Sequence, residues 1–297
     1  MLLELFREHL DALSGRRESP PVLAEDKRAH LAKSHQLEGI IIMAAGDGKR
    51  MDSQNTPKSF LNYQGKRLIG HILEPALMQF DKRDAMVMIR EDDSFHDLQR
   101  HLDDKGVTVL YQASDSVDGY LAAFLKEFYF HWSSKILRQY GKLLVFPADI
   151  VFKKEPDFRD MLSYLDKKDF MLVMARQEGS EGKMFLKKGF GNEKSGWLED
   201  FRIGEQESKE VQGYEPAVHT GGFVIDTDLL YNPLKLVPLV LAFLNNNGSI
   251  AAKKYFHSLN PFPSVGYYFI DGQFEGVNTP EDLARKPRWE INKPQAP

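Results

Sequence analysis

The residues best suited to chemistry lie in one glycine-containing loop and in the lysine segment that follows it. The loop reads Ala44-Ala-Gly-Asp-Gly-Lys-Arg-Met51, and Thr56-Pro-Lys58 follows after a short gap. Glycines directly after a strand let backbone N–H groups approach phosphate oxygens, because no Cβ stands in the way. Arg50 and Lys58 could then neutralise a triphosphate and the charge that develops as it reacts. The pattern therefore predicts chemistry on nucleotide phosphates.

Two other phosphate-binding loops do not fit this segment. A Walker loop requires Gly-Lys-Ser/Thr four residues after a glycine, and the dinucleotide fingerprint requires a third glycine. The segment has neither. The prediction therefore depends on the whole string and not on a bare Gly-x-Gly, which is often only a tight turn.

A second candidate is Phe146-Pro-Ala-Asp149, at the end of a predicted strand. Open α/β sheets bind ligands beyond the carboxyl ends of their strands. Magnesium prefers hard oxygen ligands, and it usually binds through one or two side chains plus phosphates. We therefore expect Asp149 to hold Mg²⁺; the alternative role for a strand-end aspartate is a helix cap.

These candidates belong to an alternating series of strands and helices. Residues Gly39 to Ala45 form a continuous apolar run, which is typical of a parallel strand buried on both faces. Apolar stripes at helical spacing begin at Ile69 and Leu121. Further strands are predicted at Ala85–Ile89, Val107–Tyr111, Leu143–Phe146, Phe170–Met174, Gly221–Ile225 and Tyr267–Ile270. The alternation predicts an α/β fold, a three-layer sandwich around a mainly parallel mixed sheet.

The pattern divides the chain into three parts. Residues 1–38 are predicted to be an N-terminal helical extension, because apolar residues recur there at helical spacing before a Ser-Pro-Pro break. Residues 39–286 form the α/β domain, and 287–297 are predicted to be an irregular tail. Within the domain, about 176–220 is rich in Gly, Lys and Glu and is predicted to be an insertion-like region that faces a ligand.

Composition narrows the class of protein. The formal net charge of the 297 residues is -4, and no block of basic residues marks a nucleic-acid-binding face. The longest apolar run, Leu229 to Leu244, contains two prolines and is shorter than a membrane span. Cysteine is absent, and charged residues interrupt the N-terminal apolar residues, which is not typical of a signal peptide. We therefore expect a cytoplasmic protein that binds neither nucleic acid nor membrane.

The loop as a whole resembles the signature loop of the GT-A-like nucleotidyltransferases, especially the sugar-1-phosphate nucleotidyltransferases. The family form is roughly Leu-Ala-Ala-Gly-x-Gly-Thr-Arg-Met, a short gap, then Pro-Lys; Lys49 stands where threonine is common. The resemblance implies a Rossmann-like, GT-A-like fold and catalytic roles for Arg50 and Lys58. It further implies that the NTP phosphates are wrapped by Ala44, Ala45, Gly46, Asp47 and Gly48.

Two later segments resemble base-binding and metal-binding segments of the same family. Gln112-Ala-Ser-Asp-Ser-Val-Asp-Gly119 resembles the base-recognition stretch, which implies nucleobase contacts for Gln112 and Gly119. Gly276-Val-Asn278 is similar to N-acetylglucosamine-1-phosphate uridylyltransferases, in which this asparagine is the second metal ligand beside the aspartate. The resemblance thus implies Asp149 and Asn278 as the magnesium ligands, with Asp271 as the alternative to Asn278.

Two more segments resemble the sugar-contacting parts of the family. They are Trp197-Leu-Glu-Asp200 and His219-Thr-Gly-Gly222, and they imply acceptor-binding roles for Glu199, His219, Thr220 and Gly221. His219 stands where asparagine is usual. An imidazole differs from an amide in hydrogen-bond geometry and ordinarily titrates near neutral pH. We therefore expect an acceptor other than N-acetylglucosamine 1-phosphate.

The resemblance implies transfer of NMP from an NTP, with UTP favoured, to a phosphorylated small molecule. A sugar 1-phosphate is the favoured acceptor, Mg²⁺ the cofactor and pyrophosphate the by-product. Three alternatives remain open: a cytidylyl- or guanylyltransferase acting on a non-sugar phosphate or cofactor, a GT-A glycosyltransferase, and a non-catalytic nucleotide-binding relative. The glycosyltransferase would normally carry Asp-x-Asp, whereas Phe146-Pro-Ala-Asp149 has one acid.

Overall fold

A computed structural model of the chain describes residues 37–46, 51, 56–112, 136–165, 168–176, 183–203, 215–231, 265–285 and 287. The predicted helical extension lies outside these residues apart from its last two positions. The apolar stripe that begins at Leu121 and the tail beyond 287 also lie outside them. No helix within the described residues is long and apolar enough to cross a lipid bilayer.

Among the described residues, the core of the fold is one nine-stranded sheet. Its strands are β1 (Glu38–Met43), β4 (Ala85–Arg90), β5 (Thr108–Gln112), β6 (Lys142–Pro147), β8 (Phe170–Ala175), β9 (Lys183–Gly191), β10 (Ser195–Ile203), β11 (Glu215–Asp226) and β12 (Val265–Phe269). They follow the order β5-β4-β1-β6-β11-β8-β12-β10-β9 across the sheet. Parallel pairs join β4 to β5, β1 to both β4 and β6, and β8 to β12. Strand β11 is antiparallel to its neighbours β6 and β8, and β10 is antiparallel to β12 and β9. The prediction of a mainly parallel mixed sheet is confirmed.

In the described part of the chain, four short strands form two ribbons outside this sheet. β2 (Asn62–Tyr63) pairs with β3 (Lys66–Arg67), and β7 (Ile150–Phe152) pairs antiparallel with β13 (Phe274–Gly276). The second ribbon brings a segment near the end of the chain against the segment that directly follows β6.

Alternating side chains of the central strands are buried on opposite faces of the sheet. Ile40 and Ile42 of β1 share one apolar cluster with the buried faces of α1 (Gly70–Gln79), α2 (His96–Lys105) and α3 (Phe158–Ser163). Ile41 and Met43 belong to the cluster on the opposite face, which includes Leu229 of the short helix α4 (Asp228–Tyr231). Because β1 is buried on both faces, its continuous apolar run was a reliable signal for a central parallel strand.

The predicted insertion-like region contributes two strands of the main sheet. β9 and β10 form a hairpin, and β9 also pairs with the first residues of β11, from Glu215 to Val218. The strands β11, β8, β12, β10 and β9 therefore close on themselves in a ring of hydrogen-bonded neighbours. Leu186 of β9 is fully buried in the cluster that this ring shares with the rest of the sheet.

Candidate functional site

The predicted phosphate loop leaves the sheet at the carboxyl end of β1. The backbone N–H of Ala44 still donates to the carbonyl of Met88 at 2.8 Å, and Ala44 and Ala45 are buried. Gly46 is exposed, and a Cβ built on it would meet no atom of the described residues within 4 Å. Asp47, Gly48 and Arg50 lie outside the described residues, so their roles stay predictions.

Lys58 approaches this loop from a short helical turn (Lys58–Phe60). Pro57 precedes the turn, and the carbonyl of Pro57 accepts the backbone N–H of Phe60 at 2.8 Å. The buried hydroxyl of Ser59 donates to the carbonyl of Ala44 at 3.3 Å. These bonds fix the backbone of Lys58 beside the end of β1, so its side chain reaches the carboxyl edge of the sheet.

The ammonium group of Lys58 lies between the two predicted magnesium ligands. It forms an ion pair with the Oδ2 atom of Asp149, and it donates to the Oδ1 atom of Asn278 at 2.8 Å. The side chains of Lys58 and Asp149 retain 14% and 25% of their exposure. Three residues separated by up to 220 positions along the chain thus meet at one point, where a ligand can still reach them.

The β7–β13 ribbon accounts for the meeting of Asp149 with Asn278. Gly276 is in register with Ile150, and the N–H of Val277 donates to the carbonyl of Asp149 at 2.9 Å. The buried side chains of Val277 and of Met51, the last residue of the loop, belong to the same apolar cluster. The ribbon therefore holds Asp149, Asn278 and the return of the phosphate loop together.

Helix α5 (Pro280–Ala284) begins shortly after Asn278 and fixes its backbone through hydrogen bonds. Thr279 is its N-cap, and Asp282 completes a capping box. The Oδ2 atom of Asp282 accepts the backbone N–H groups of Asn278 at 2.8 Å and of Thr279 at 3.0 Å. Although burial opposes its ionisation, these N–H donors lower the pKa of Asp282. The Asn278 amide is thus free of the helix-capping role, which Thr279 takes.

A buried polar group supports the ribbon on its other side. The carboxylate of Glu275 accepts a hydrogen bond from the hydroxyl of Tyr63, and Arg285 lies 3.8 Å from it. Burial and then the Glu275 contact raise the pKa of the Tyr63 hydroxyl, which stays protonated as the donor. Sequence reasoning missed this trio, because no local spacing relates Tyr63 to a glutamate 212 positions later.

The donor chemistry of Asp149 and Asn278 fits a magnesium ion. A carboxylate and an amide oxygen are hard ligands, and both lone-pair-bearing oxygens already converge on one cation, the Lys58 ammonium. No cluster of three or more Asp, Glu, His or Cys side chains that could hold a metal occurs among the described residues. Within that part of the chain, the ion would therefore need further oxygens, such as those of phosphates, to complete its shell.

Gln112, like the phosphate loop, lies at the carboxyl ends of the parallel strands, but on the outermost of them, β5. It is the last residue of β5, is buried, and is in register with Arg90, the last residue of β4. Three strand spacings separate β5 from β6, or roughly 14 Å. This separation suits a nucleotide whose base lies at Gln112 and whose phosphates lie near Asp149. Gly119, the other predicted base contact, lies outside the described residues.

Arg90 is a candidate that sequence reasoning missed. Its guanidinium is 2.9 Å from Asp92 and stays partly exposed, and register places it on the same face of the sheet as Gln112. The signal was available, since Arg90 directly follows the apolar run 85–89 at a strand end. An arginine there can donate to the acceptor edge of a base.

The predicted acceptor segment is a bulged part of β11. The register with β8 shifts between His219 and Phe223, and Gly221 has a φ of 83°, a left-handed conformation that favours glycine. The Thr220 hydroxyl donates to the carbonyl of Val173 at 2.8 Å and accepts the N–H of Gly222 at 3.0 Å. The bulge is therefore held by its own side chains.

His219 is neutral in this bulge. Burial lowers its pKa to about 4, and its Nε2 lies 3.1 Å from the carbonyl of Gly222. A carbonyl only accepts, so Nε2 carries the proton and Nδ1 is the acceptor nitrogen. The pKa of His219 therefore lies well below the near-neutral value that is ordinary for an imidazole, because desolvation outweighs the hydrogen bond.

Glu199 lies in β10, where the register of the β9–β10 hairpin shifts between Leu198 and Asp200. Such irregularities re-aim side chains and are frequent beside binding sites. The description of Glu199 is limited to its backbone, so its predicted contact with an acceptor stays a prediction.

Asp271, the alternative metal ligand, has neighbours other than the Lys58 ammonium that Asp149 and Asn278 share. It lines a cavity of about 310 Å³ at the end of β12, where its carboxylate is 3.8 Å from the ammonium of Lys194. Lys194 is 2.7 Å from Asp160, which also accepts the hydroxyl of Tyr268 at 2.6 Å. Of the two alternatives, the structure brings Asn278 to the Asp149–Lys58 cluster.

Several solved structures share this fold. A mannose-1-phosphate geranyltransferase from Thermus thermophilus superposes with a TM-score of 0.60 at 17% identity, covering 81% of this chain and 76% of its own. A UDP-glucose pyrophosphorylase complexed with UDP-glucose gives 0.59 at 14% identity, covering 83% and 95%. An inositol-1-phosphate CTP transferase from T. maritima gives 0.55 at 18% identity, covering 83% and 91%.

At these identities the likeness establishes the fold alone. No protein with a curated function matches the chain in sequence. The sequence does match the family described as the MobA-like NTP transferase domain, over residues 40–216. This range includes the phosphate loop, Lys58, Gln112 and Asp149, and it is more than half of the chain. The chain therefore belongs to the MobA-like NTP transferase family.

Proposed function

We propose that the protein is a magnesium-dependent nucleotidyltransferase that transfers NMP from an NTP to a phosphorylated small molecule and releases pyrophosphate. The observation that carries the proposal is the convergence of Lys58, Asp149 and Asn278 beside the end of the phosphate loop. The convergence supplies a cation for phosphate oxygens and two hard oxygens for a metal at the same point.

The chain's own residues act mainly by positioning and by charge. Exposed backbone at Gly46 accommodates phosphate oxygens, and Gln112 holds the base at the opposite side of the sheet edge. Lys58, with Arg50, neutralises charge on the α-phosphate as the acceptor oxygen attacks and pyrophosphate leaves. A bound Mg²⁺ held by Asp149 and Asn278 would neutralise phosphate charge further.

No side chain has to remove a proton in this reaction. The attacking group is an oxygen of a phosphate monoester, which is already ionised near neutral pH. His219 fits this scheme, because a neutral imidazole with a pKa of about 4 binds by hydrogen bonds and need not act as a base. We propose that His219, with Glu199, Thr220 and Gly221, contacts the acceptor.

A sugar 1-phosphate is the acceptor we favour, and UTP the nucleotide. The support is the resemblance of Gly276-Val-Asn278 to uridylyltransferases and the shared fold of a UDP-glucose pyrophosphorylase. A second acceptor class has specific support from the inositol-1-phosphate CTP transferase of the same fold. An alcohol phosphate with CTP is therefore the alternative pair.

The test is pyrophosphate release by the purified full chain across four NTPs, several sugar 1-phosphates and inositol 1-phosphate, each with and without Mg²⁺. We expect release that needs an NTP, an acceptor and Mg²⁺ together. Release of a nucleoside diphosphate from a nucleotide sugar would instead indicate a glycosyltransferase. Nucleotide binding without any turnover would indicate a non-catalytic relative, and either result would overturn the proposal.

A further inference from the structure

The Lys58 side chain occupies the position at which its two partners would hold a metal. Its ammonium is bound to the Oδ2 atom of Asp149 and lies 2.8 Å from the Oδ1 atom of Asn278. It therefore contacts both oxygens that would coordinate the metal. Another lysine of the same region, Lys66, pairs instead with one exposed carboxylate, Glu74, at 2.9 Å. The pairing of Lys58 therefore differs from an ordinary surface ion pair, because both proposed metal ligands are its partners.

A magnesium ion and this ammonium would compete for the two oxygens. Mg²⁺ requires metal–oxygen distances of about 2.1 Å, so the ammonium nitrogen at its present distance from Asn278 would be at most roughly 5 Å away. Two cations that close in a partly buried site repel strongly. Binding of either cation to these oxygens therefore weakens binding of the other.

The backbone at Lys58 is fixed, whereas the side chain is able to move. Bonds of Ser59 and Phe60 hold the turn to Ala44 and Pro57. The four-carbon stem of a lysine lets its ammonium change partners without any backbone shift. Phosphate oxygens at the neighbouring loop are negatively charged, as the Asp149 carboxylate is, so they would offer the ammonium a new partner.

We infer that Lys58 is an internal counter-ion that keeps divalent metal out of the nucleotide-free site, so that the metal enters together with the NTP. The inference rests on the proposed function, and it adds an order of events. The phosphates draw Lys58 away from Asp149 and Asn278, and the two oxygens then become available to the ion. The metal is therefore a part of the bound nucleotide complex and not a resident of the free protein.

The test measures binding of Mn²⁺ alone, as a magnesium substitute, to the full chain by the loss of the free-ion EPR signal. Lys58→Met keeps the length of the side chain and removes its charge. We expect this variant to bind Mn²⁺ at least about tenfold more tightly than the unaltered protein without nucleotide. The matched control Lys66→Met should bind as the unaltered protein does, and adding Asp149→Asn to Lys58→Met should abolish the gain.

A second measurement uses a non-hydrolysable UTP analogue. With the analogue present, Lys58→Met should bind the Mn²⁺–nucleotide complex more weakly than the unaltered protein, because the phosphates lose a cation. Lys58→Gln provides the same comparison if Lys58→Met does not show a cooperative unfolding transition. Opposite shifts with and without the analogue would support the exchange.

Equal Mn²⁺ affinities of Lys58→Met and the unaltered protein without nucleotide would overturn the inference, whether or not turnover is found. Tighter Mn²⁺ binding by the variant, in a protein that releases no pyrophosphate with any NTP, would support the inference and defeat the proposed function. The two proposals can therefore fail separately.

Discussion

The two halves of the main sheet present their candidate residues in opposite ways. At the end of the parallel strands β5, β4, β1 and β6, the residues project from loops and strand ends, and Lys58 and Asp149 stay partly exposed. In the ring formed by β11, β8, β12, β10 and β9, the candidates His219, Thr220 and Gly221 are part of a bulge whose side chains bond to the backbone.

The difference indicates how each half should respond to substitution. Partly exposed charged groups at strand ends contribute little to stability, so their loss should affect the reaction and leave the fold intact. Residues that satisfy buried backbone groups are required by the fold itself, and their loss should lower stability as well as alter binding. Five predictions test this contrast, from the largest expected effect to the smallest.

The largest effect is expected at Asp149. Asp149→Ala should lower magnesium-dependent turnover by about 10³-fold, because a preorganised electrostatic contact is lost at the reacting phosphate. Its midpoint of unfolding in urea should stay close to that of the unaltered protein. Steady-state pyrophosphate release and urea titration measure both quantities, and undiminished turnover would exclude the metal role.

The sequence indicated the strand-end half well, because its signals are local. The apolar runs at 39–45 and 85–89 correspond to β1 and β4, and the residue after each run lies at the carboxyl end of its strand. Lys58 and Asn278 were both named from motifs. Their meeting with Asp149 depends on the β7–β13 ribbon, whose register joins positions about 125 apart and which no local pattern reveals.

The ring half was harder to predict. β9 and β10 are rich in charged and glycine residues, so neither shows the apolar run of a central strand. Helix α2 was also missed, since Leu98 and Leu102 are its only buried residues and two positions make a weak helical stripe. The state of His219 required knowledge of its burial, which a sequence motif does not contain.

The next largest effect concerns the phosphate cations. Lys58→Ala and Arg50→Ala should each lower turnover by about 10²-fold, equivalent to roughly 3 kcal/mol of transition-state stabilisation. The loss should appear mainly in kcat, which steady-state kinetics with varied NTP would show. A change confined to the KM for the acceptor would mean that these residues do not act on the triphosphate.

Two glycines give the most direct comparison of the halves. In the closed ring of strands, a Cβ at Gly222 would lie 2.0 Å from an aromatic carbon of Phe146, so Gly222→Ala should lower the free energy of unfolding. The expected loss is about 3 kcal/mol, in the upper part of the range for overpacked cores.

Gly46→Ala is the counterpart at the loop. A Cβ there would meet no atom within 4 Å in the part of the chain that the structure describes, so stability should not change. The methyl group would instead occupy space that phosphates need, and NTP binding should weaken about tenfold. Urea unfolding and NTP titration of both variants measure the contrast, and a destabilised Gly46→Ala would contradict it.

A pH effect should distinguish His219 from an exposed histidine. Its folded pKa of about 4 lies below its ordinary value of 6.5, so the unfolded chain takes up the proton first as the pH falls. The contribution of His219 to the free energy of unfolding is therefore fully present above pH 6.5 and is lost as the pH falls towards 4. The loss between pH 6.5 and pH 5 should be about 2 kcal/mol.

The control for this effect is His96, whose side chain is largely exposed on α2. Urea unfolding at the two pH values should show that His219→Asn loses the pH-dependent part and that His96→Asn retains it. If both variants keep the full dependence, the histidine in the bulge does not cause it.

The smallest effect is expected in selectivity. His219→Asn replaces a neutral imidazole with the amide that is usual in the resembling proteins, and it should change the ranking of acceptors by a few fold, or about 1 kcal/mol. The ranking of NTPs should not change, because Gln112 and the phosphate loop lie in the other half. Two steady-state screens, one across acceptors and one across NTPs, make the comparison; an altered NTP ranking alone would contradict the assignment.

The closure of β9 onto β11 also bears on how the chain avoids aggregation. A strand with one unpaired side is a template for pairing with another molecule. In the closed ring every strand has a neighbour on each side, and β5 is the strand of the main sheet that pairs on one side only among those described. The closure thus limits intermolecular strand addition in the half where glycine-containing, weakly patterned strands would otherwise be most prone to mispair.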